Sequence, residues 1–327
     1  MDAVIVKHLS GLEFGEPQCL KNMEVLPLFV AVKDSLEYLT LDEALGKKLL
    51  HVTEVGAGGT VPNLKVANRA KVPVLVLDGE ELAGGMQNRV LNTTILLKEN
   101  SDTVVPVSCT EAGRWRYTAE KFAGLETMIS PRLRKTKVRS VSRSLRESGS
   151  FESDQGAVWN DVETMLAFSG VDSETKAMRA AFEGKRSDLQ SYAKAFQYVP
   201  GQKGLLVLIN GEVAGFDVVS LESAYEKLHP KMVQGYAMDA LLDMNEKKAT
   251  RSAEKAKAFV ERAKACNESR HESVGYGRDY RFDGDRIVGS ALVHRKLVIH
   301  AAFFEVTAEG KMVGRMAGVR RRAGFRM

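Results

Sequence analysis

The chain has 327 residues, 44% hydrophobic and 27% charged, which fits a globular protein with a sizeable core and excludes a disordered or fibrous one. Its formal net charge of +5 equals the balance of residues 306–327 alone, where Lys311, Arg315, Arg320, Arg321, Arg322 and Arg326 stand against Glu309. The body is therefore formally neutral, and the high isoelectric point argues only weakly for a nucleic-acid-binding body.

Three widely spaced cysteines, Cys19, Cys109 and Cys266, form no disulfide framework, and six scattered histidines form no HxH or HExxH motif. Structural zinc is not expected, and a carboxylate-bound metal is left open. No apolar run approaches the roughly 18 residues of a membrane-spanning helix. The N-terminal MDAVIVKHLSGLEFGEP lacks the basic, apolar and cleavage regions of a secretory signal, so a cytoplasmic location is expected.

In chain order, residues 12–35 read as strand, with MEVLPLFVAV the clearest run. LTLDEALGKKLL predicts a short helix capped by Thr40 or Asp42, and GAGGTVPNL predicts a loop. LKVAN, VPVLVLDGEEL, RVLNTTILL and TVVPVSC follow as strands at short spacing. Asp78-Gly79 signals a hairpin, and Gly84-Gly85 a bulge or a close backbone approach. Residues 132–146 carry seven Lys and Arg. As a helix they place Val138, Val141 and Leu145 on an apolar stripe and Arg139, Arg143 and Arg146 on a basic one.

A helix is expected over DQGAVWNDVETMLAFSGV. A longer one is expected after Asp172 or Ser173, interrupted near Gly184. GLLVLINGEVAGFDVV is a second hairpin, turning at Asn210-Gly211 and echoing VLVLDGEELAGG, either as a weak internal repeat or as generic hairpin chemistry. Two or three helices over 221–268 precede a return to strands with an Asp283-Gly284 turn. The fold class is α+β, with an antiparallel β-rich part (1–130), a helix-rich part with two further hairpins (131–305) and a basic flexible tail (306–327).

The chemistry concentrates between Leu77 and Trp115. Strands disfavour Asp, Asn and Glu, so their density here calls for water, partners or a ligand. Strand alternation sends Glu80 and Glu81 to opposite faces. Either is a candidate acid/base if buried, or a solvated post-turn residue. Gln87 and Arg89 share one face, and Asn88 and Asn92 the other. Arg89 is suited to hold a phosphate or carboxylate through two parallel N–H groups, or to brace loops. Cys109 falls on the face of Val105 and Val107, as core filler or as a nucleophile activated by a cation. Glu111 and Arg114 sit where the strand breaks at Gly113, and Trp115 offers core packing or a stacking surface. Asp154 and Gln155 open the next helix, where free N–H groups attract anions and Asp154 equally serves as a cap.

These segments together resemble one family. YLTLDEAL (38–45), VTEVGAGGTVPNL (52–64), LDGEELAGGMQNRVLNTTILL (77–97), VPVSCTEAGRW (105–115), KVRSVSRSL (137–145), DQGAVW (154–159) and INGEVAGFD (209–217) are similar to the ARG and rhodanese-phosphatase-superfamily-associated protein (ARPP) domain, over roughly residues 10–305. That family's association with ADP-ribosylglycohydrolases and with rhodanese- or phosphatase-like proteins implies a link to ADP-ribose or phosphate chemistry. It brings no assigned catalytic residue.

The expectation is an enzyme acting on a phosphorylated small molecule of nucleotide or ADP-ribose type. Glu80, Glu81, Glu111 and Cys109 are its candidate reactive groups, and Gln87, Asn88, Arg89, Asn92, Arg114, Trp115, Asp154 and Gln155 its candidate ligand contacts. The alternative is a non-catalytic binding or regulatory module for the same anionic ligand. Nucleic-acid contact through Arg139, Arg143, Arg146 and the tail is a weaker third. No cofactor or oligomeric state is legible.

Overall fold

The structure, a computed structural model, describes residues 1–31, 36–56, 60–243 and 252–306. The expected basic tail from residue 307 onward lies outside the described residues.

The largest element is a nine-stranded antiparallel sheet. Its order is Leu12–Phe14, Met23–Val30, Gly204–Ile209, Glu212–Val219, Leu297–Glu305, Ile287–His294, Arg278–Gly284 and Asn267–Glu272, with Gln18–Leu20 also on Met23–Val30. Both faces are covered, which is why GLLVLI reads as a continuous apolar run and not as an alternating one. Leu206 and Leu208 pack with Ile5, Leu9, Phe259 and Val260 of the helices Ala3–Ser10 and Ser252–Lys264. Leu205 and Val207 pack on the opposite side, with Val138, Val158, Phe182, Leu189 and Met232 of the five helices between Pro131 and Leu242.

A third core lies among two smaller sheets. The six-stranded one runs Ala123–Met128, Glu80–Ala83, Arg89–Leu91, Ser101–Cys109, Asn63–Asn68, Leu50–Glu54. The three-stranded one runs Ile95–Leu97, Val74–Val76, Leu39–Thr40. The class is α+β. Strand Met23–Val30 pairs with Gly204–Ile209, so one sheet joins the parts expected as 1–130 and 131–305.

Local expectations hold where side-chain and backbone chemistry agree. Thr40 caps Leu41–Gly46 in a capping box: Glu43 N donates to its hydroxyl at 3.3 Å, and Thr40 N donates to the Glu43 carboxylate at 3.0 Å. Asn210 and Gly211 take φ of 51° and 77° and close a true hairpin. The longer helix is interrupted at Gly184, between Met178–Gly184 and Arg186–Ala195.

Three differences matter. Asp78-Gly79 turns the chain, but Val74–Val76 and Glu80–Ala83 then enter different sheets, because the Asp78 carboxylate is drawn into an ionic cluster described below. The echo with Asn210-Gly211 is therefore not a structural repeat. The turn expected at Asp283-Gly284 falls two residues later, since both residues still pair, with Val288 and Ile287. Finally, the helix expected from Ser173 starts at Met178. Residues 173–177 instead form a loop docked on the end of Ser101–Cys109: Gly113 N donates to Thr175 O at 2.8 Å, and Met178 N to Thr110 O at 2.9 Å.

Candidate functional site

Sheet register sorts the polar residues onto two faces. Leu82, Arg89 and Cys109 are cross-strand partners, as are Glu81, Val90 and Ser108. Partners share a face and neighbours alternate. Leu82 belongs to the core of the small sheets and Val90 to the helical core, so Arg89 and Cys109 face away from Glu81.

On the first face, Arg89 is completely buried. Its Nη1 donates to Gln87 Oε1 at 3.0 Å and to Cys109 Sγ at 2.9 Å, and the thiol donates to the same Gln87 oxygen at 2.9 Å. Gln87 Nε2 is fixed by Glu111 O at 2.8 Å. Nε and Nη2 of Arg89 have no hydrogen-bond partner among the described residues. Glu54 Oε1 stands 3.6 Å from Nη2 and accepts from Met86 N at 2.9 Å, while Glu54 Oε2, also buried, has no partner among the described residues. A Cβ on Gly85, where φ is 50°, would lie 2.5 Å from that Glu54 carboxylate, so the glycine at 85 makes the approach possible. The Trp115 ring, 51% exposed, covers the guanidinium with its centroid 6.0 Å from Cζ.

Burial pushes the Cys109 thiol up to about 11; Arg89 opposes this and Glu54 adds to it. The sulfur is a neutral donor near pH 7, whereas nucleophilic attack requires the thiolate.

At the strand mouth the polar groups satisfy one another. Glu111 Oε2 accepts from Arg114 Nε at 2.8 Å and from Asn88 N at 3.3 Å, and Oε1 accepts from Thr175 at 2.8 Å. Arg114 also donates to Gly85 O, Arg116 O and Asn88 Oδ1. Burial raises the Glu111 carboxyl, but the Arg114 and Thr175 bonds outweigh it and hold the group below its ordinary range. This cluster braces the irregular connection from Thr110 to Phe122.

Glu80 and Glu81 diverge as alternation requires. Glu80 pairs with Lys231 at 2.6 Å and accepts from Leu77 N at 2.7 Å. Lys231 also meets Asp42 at 2.5 Å. Glu81 accepts from the Thr110 hydroxyl at 2.6 Å and leaves Oε2 without a partner among the described residues. Burial lifts its carboxyl to about 7; Thr110 and Arg179 oppose the rise, and Glu111 and Glu183 add to it.

The remaining candidates have local partners. Asn92 accepts from Ser108 at 2.7 Å and donates to Phe151 O at 3.1 Å. Gln155 bonds both the N–H and the carbonyl of Cys109, at 2.8 and 2.9 Å, in the manner of a neighbouring strand. Asp154 caps its helix by accepting from Ala157 N at 3.1 Å. Thus Gln87, Arg89, Cys109 and Trp115 come together; Asn88, Glu111 and Arg114 form an adjoining cluster; Glu80 and Glu81 belong to neither.

Two features escape the sequence reading. One is Glu54, although the alternation Leu50, Val52, Glu54 sets it on a buried face. The other is a buried network between the sheets. Arg134 grips Asp217 through two bonds of 2.8 and 2.9 Å and lies 3.4 Å from Asp78. Lys137 bonds Asp78 at 3.1 Å and also the Leu91 carbonyl. Tyr236 and His300 complete Asp217 at 3.0 and 3.2 Å. Burial raises the Asp217 carboxyl, but Arg134 and His300 outweigh it and hold it far below the usual range. The signal was present: Arg134 and Lys137 continue the stripe of Val138 and Val141 at spacings of three, four and seven.

No group of three or more His, Cys, Asp or Glu among the described residues is arranged to hold a metal ion. No helix among them is long and apolar enough to cross a membrane. Two surface concavities, beside Phe168 and beside Tyr280 and His294, lie away from these centres.

Fold and site together define an α+β protein whose buried arginine offers an unused edge beneath an exposed indole. The family model of the ARG and Rhodanese-Phosphatase-superfamily-associated Protein domain matches residues 11–304, and the chain belongs to that family. No curated protein and no solved structure matches it.

Proposed function

We propose that this chain binds a phosphorylated small molecule of nucleotide or ADP-ribose type at the Arg89–Glu54 centre. The observation that carries this reading is the unpartnered Nε and Nη2 edge of fully buried Arg89. The two N–H groups on that edge are parallel and match two acceptor oxygens of such a ligand. Leaving such donors unbonded in the interior costs about 1–3 kcal/mol, which bound ligand oxygens offset. Trp115 supplies a half-exposed face on which a base can stack. The rhodanese and phosphatase association in the family's description agrees with an oxyanion ligand.

Catalysis is the second reading, favoured by Glu81. A buried carboxyl with a free oxygen and a pKa of about 7 is matched to proton transfer near neutrality. It lies on the opposite sheet face from Arg89, which ranks binding first.

Thermal unfolding with ADP-ribose, AMP and ribose 5-phosphate tests both. Wild type should melt at higher temperature with at least one ligand, and Arg89→Gln should lose the shift. Consumption of a ligand by wild type but not by folded Glu81→Gln would establish the catalytic reading. No shift with any of the three would refute binding at Arg89.

A further inference from the structure

We infer that Glu54 makes the Arg89 site selective for a ligand that presents two adjacent hydroxyls, as a ribose with both ring hydroxyls does, over a bare phosphate. This rests on the binding reading above and adds a residue and a discrimination to it.

Two unpartnered groups of opposite character sit side by side. Among the described residues, Arg89 Nε and Nη2 are donors without an acceptor, and Glu54 Oε2 is an acceptor without a donor. Glu54 Oε1 is 3.6 Å from Arg89 Nη2, too long for a good hydrogen bond but close enough to offset the charge. Both side chains are almost wholly inside the protein, at 7% exposure for Glu54 and 0% for Arg89. The carboxylate is held there: Met86 N fixes Oε1, and only a glycine at 85 admits it, next to the Phe122 ring.

A phosphate dianion on the arginine edge would bring only acceptors against Glu54 Oε2. In a low-dielectric interior that like-charge approach is costly. A group presenting an acceptor oxygen to Arg89 and an O–H to Glu54 satisfies both residues at once and leaves no buried polar atom unbonded. Adjacent ribose hydroxyls have this form, since each oxygen both accepts and donates. Trp115 above the centre then meets the attached base, and the phosphate lies outward. A site built to bond a hydroxyl rejects the analogue lacking it more strongly than an apolar pocket rejects a methylene.

Calorimetric titration of the full chain with AMP and with 2′,3′-dideoxy-AMP tests this. Wild type should bind AMP about tenfold or more tightly than the dideoxy compound, since a hydrogen bond to a charged group is lost. In Glu54→Gln the two affinities should come within about twofold of each other. The ratio is the readout that a merely structural role would not move, and the melting temperature of the variant confirms its fold. Equal wild-type affinities that still depend on Arg89 would overturn the role of Glu54 while the binding reading stands. A Glu54→Gln variant that keeps the wild-type ratio would overturn it too. Absence of nucleotide binding to wild type would remove both.

Discussion

Two buried arginines, Arg89 and Arg134, have almost the same exposure and opposite surroundings. Each guanidinium nitrogen of Arg134 meets a carboxylate: Asp217 takes two bonds, Asp78 lies at 3.4 Å, and the Phe304 ring lies with its centroid 4.7 Å from Cζ. Arg89 spends one nitrogen on Gln87 and Cys109, and among the described residues its Nε–Nη2 edge has no hydrogen-bond partner, with Glu54 at 3.6 Å. Burial and charge are therefore not what mark a site. The difference is whether the polar atoms satisfy one another. The Arg134 network joins the basic helix, the large sheet and the Asp78 turn into one body, and its closure makes it bracing.

The sharpest test of that contrast is stability. Arg134→Met should cost about 3–5 kcal/mol in urea unfolding, because it strands Asp217 and Asp78 as buried charges. Arg89→Gln should cost less, about 1–2 kcal/mol, while abolishing the ligand-dependent rise in melting temperature. Equal destabilisation by the two would erase the distinction.

Next in size is the pH dependence carried by Glu81. Its folded carboxyl titrates near 7, against an ordinary value of 4.5. The folded state thus holds its proton more tightly than the unfolded chain. The stabilisation is complete below about 4.5 and is lost as pH rises to 7 and beyond, by up to about 3 kcal/mol. The difference between wild type and Glu81→Gln, followed by urea titration at several pH values, should fall over that window. A flat difference would show that Glu81 ionises normally.

Trp115→Ala should weaken nucleotide binding by about 1–3 kcal/mol and change stability by less than about 0.5 kcal/mol, since the ring is half exposed. A large loss of stability with unchanged affinity would make Trp115 a packing residue. The smallest expected effect is chemical. Iodoacetamide near neutral pH, followed by peptide mass mapping, should label exposed Cys19 and spare Cys109 and Cys266, whose thiols burial pushes to about 11. Rapid labelling of Cys109 in the native chain would contradict its role as a neutral donor.

Much of this was legible in the sequence for local reasons. Alternation alone separated Glu80 from Glu81 and joined Gln87 to Arg89, and the capping box and the Asn210-Gly211 hairpin follow from backbone chemistry. What escaped depends on contacts distant in sequence. Asp78 looked like a hairpin residue because Arg134 and Asp217, which decide its environment, lie 56 and 139 positions away. Ser173 looked like a helix cap because nothing local reveals that Thr175 is bonded to Glu111. Glu54 is one carboxylate beside a glycine loop until Gly85 is seen to make room for it.

The central claim is that the free edge of Arg89 is a binding surface. A crystal structure of the chain with ADP-ribose tests it most directly. A ligand oxygen should lie within about 3.2 Å of both Nε and Nη2, with Trp115 displaced or stacked on the ligand. Ligand bound elsewhere, with the Arg89 edge closed on Glu54 at hydrogen-bond distance, would contradict it.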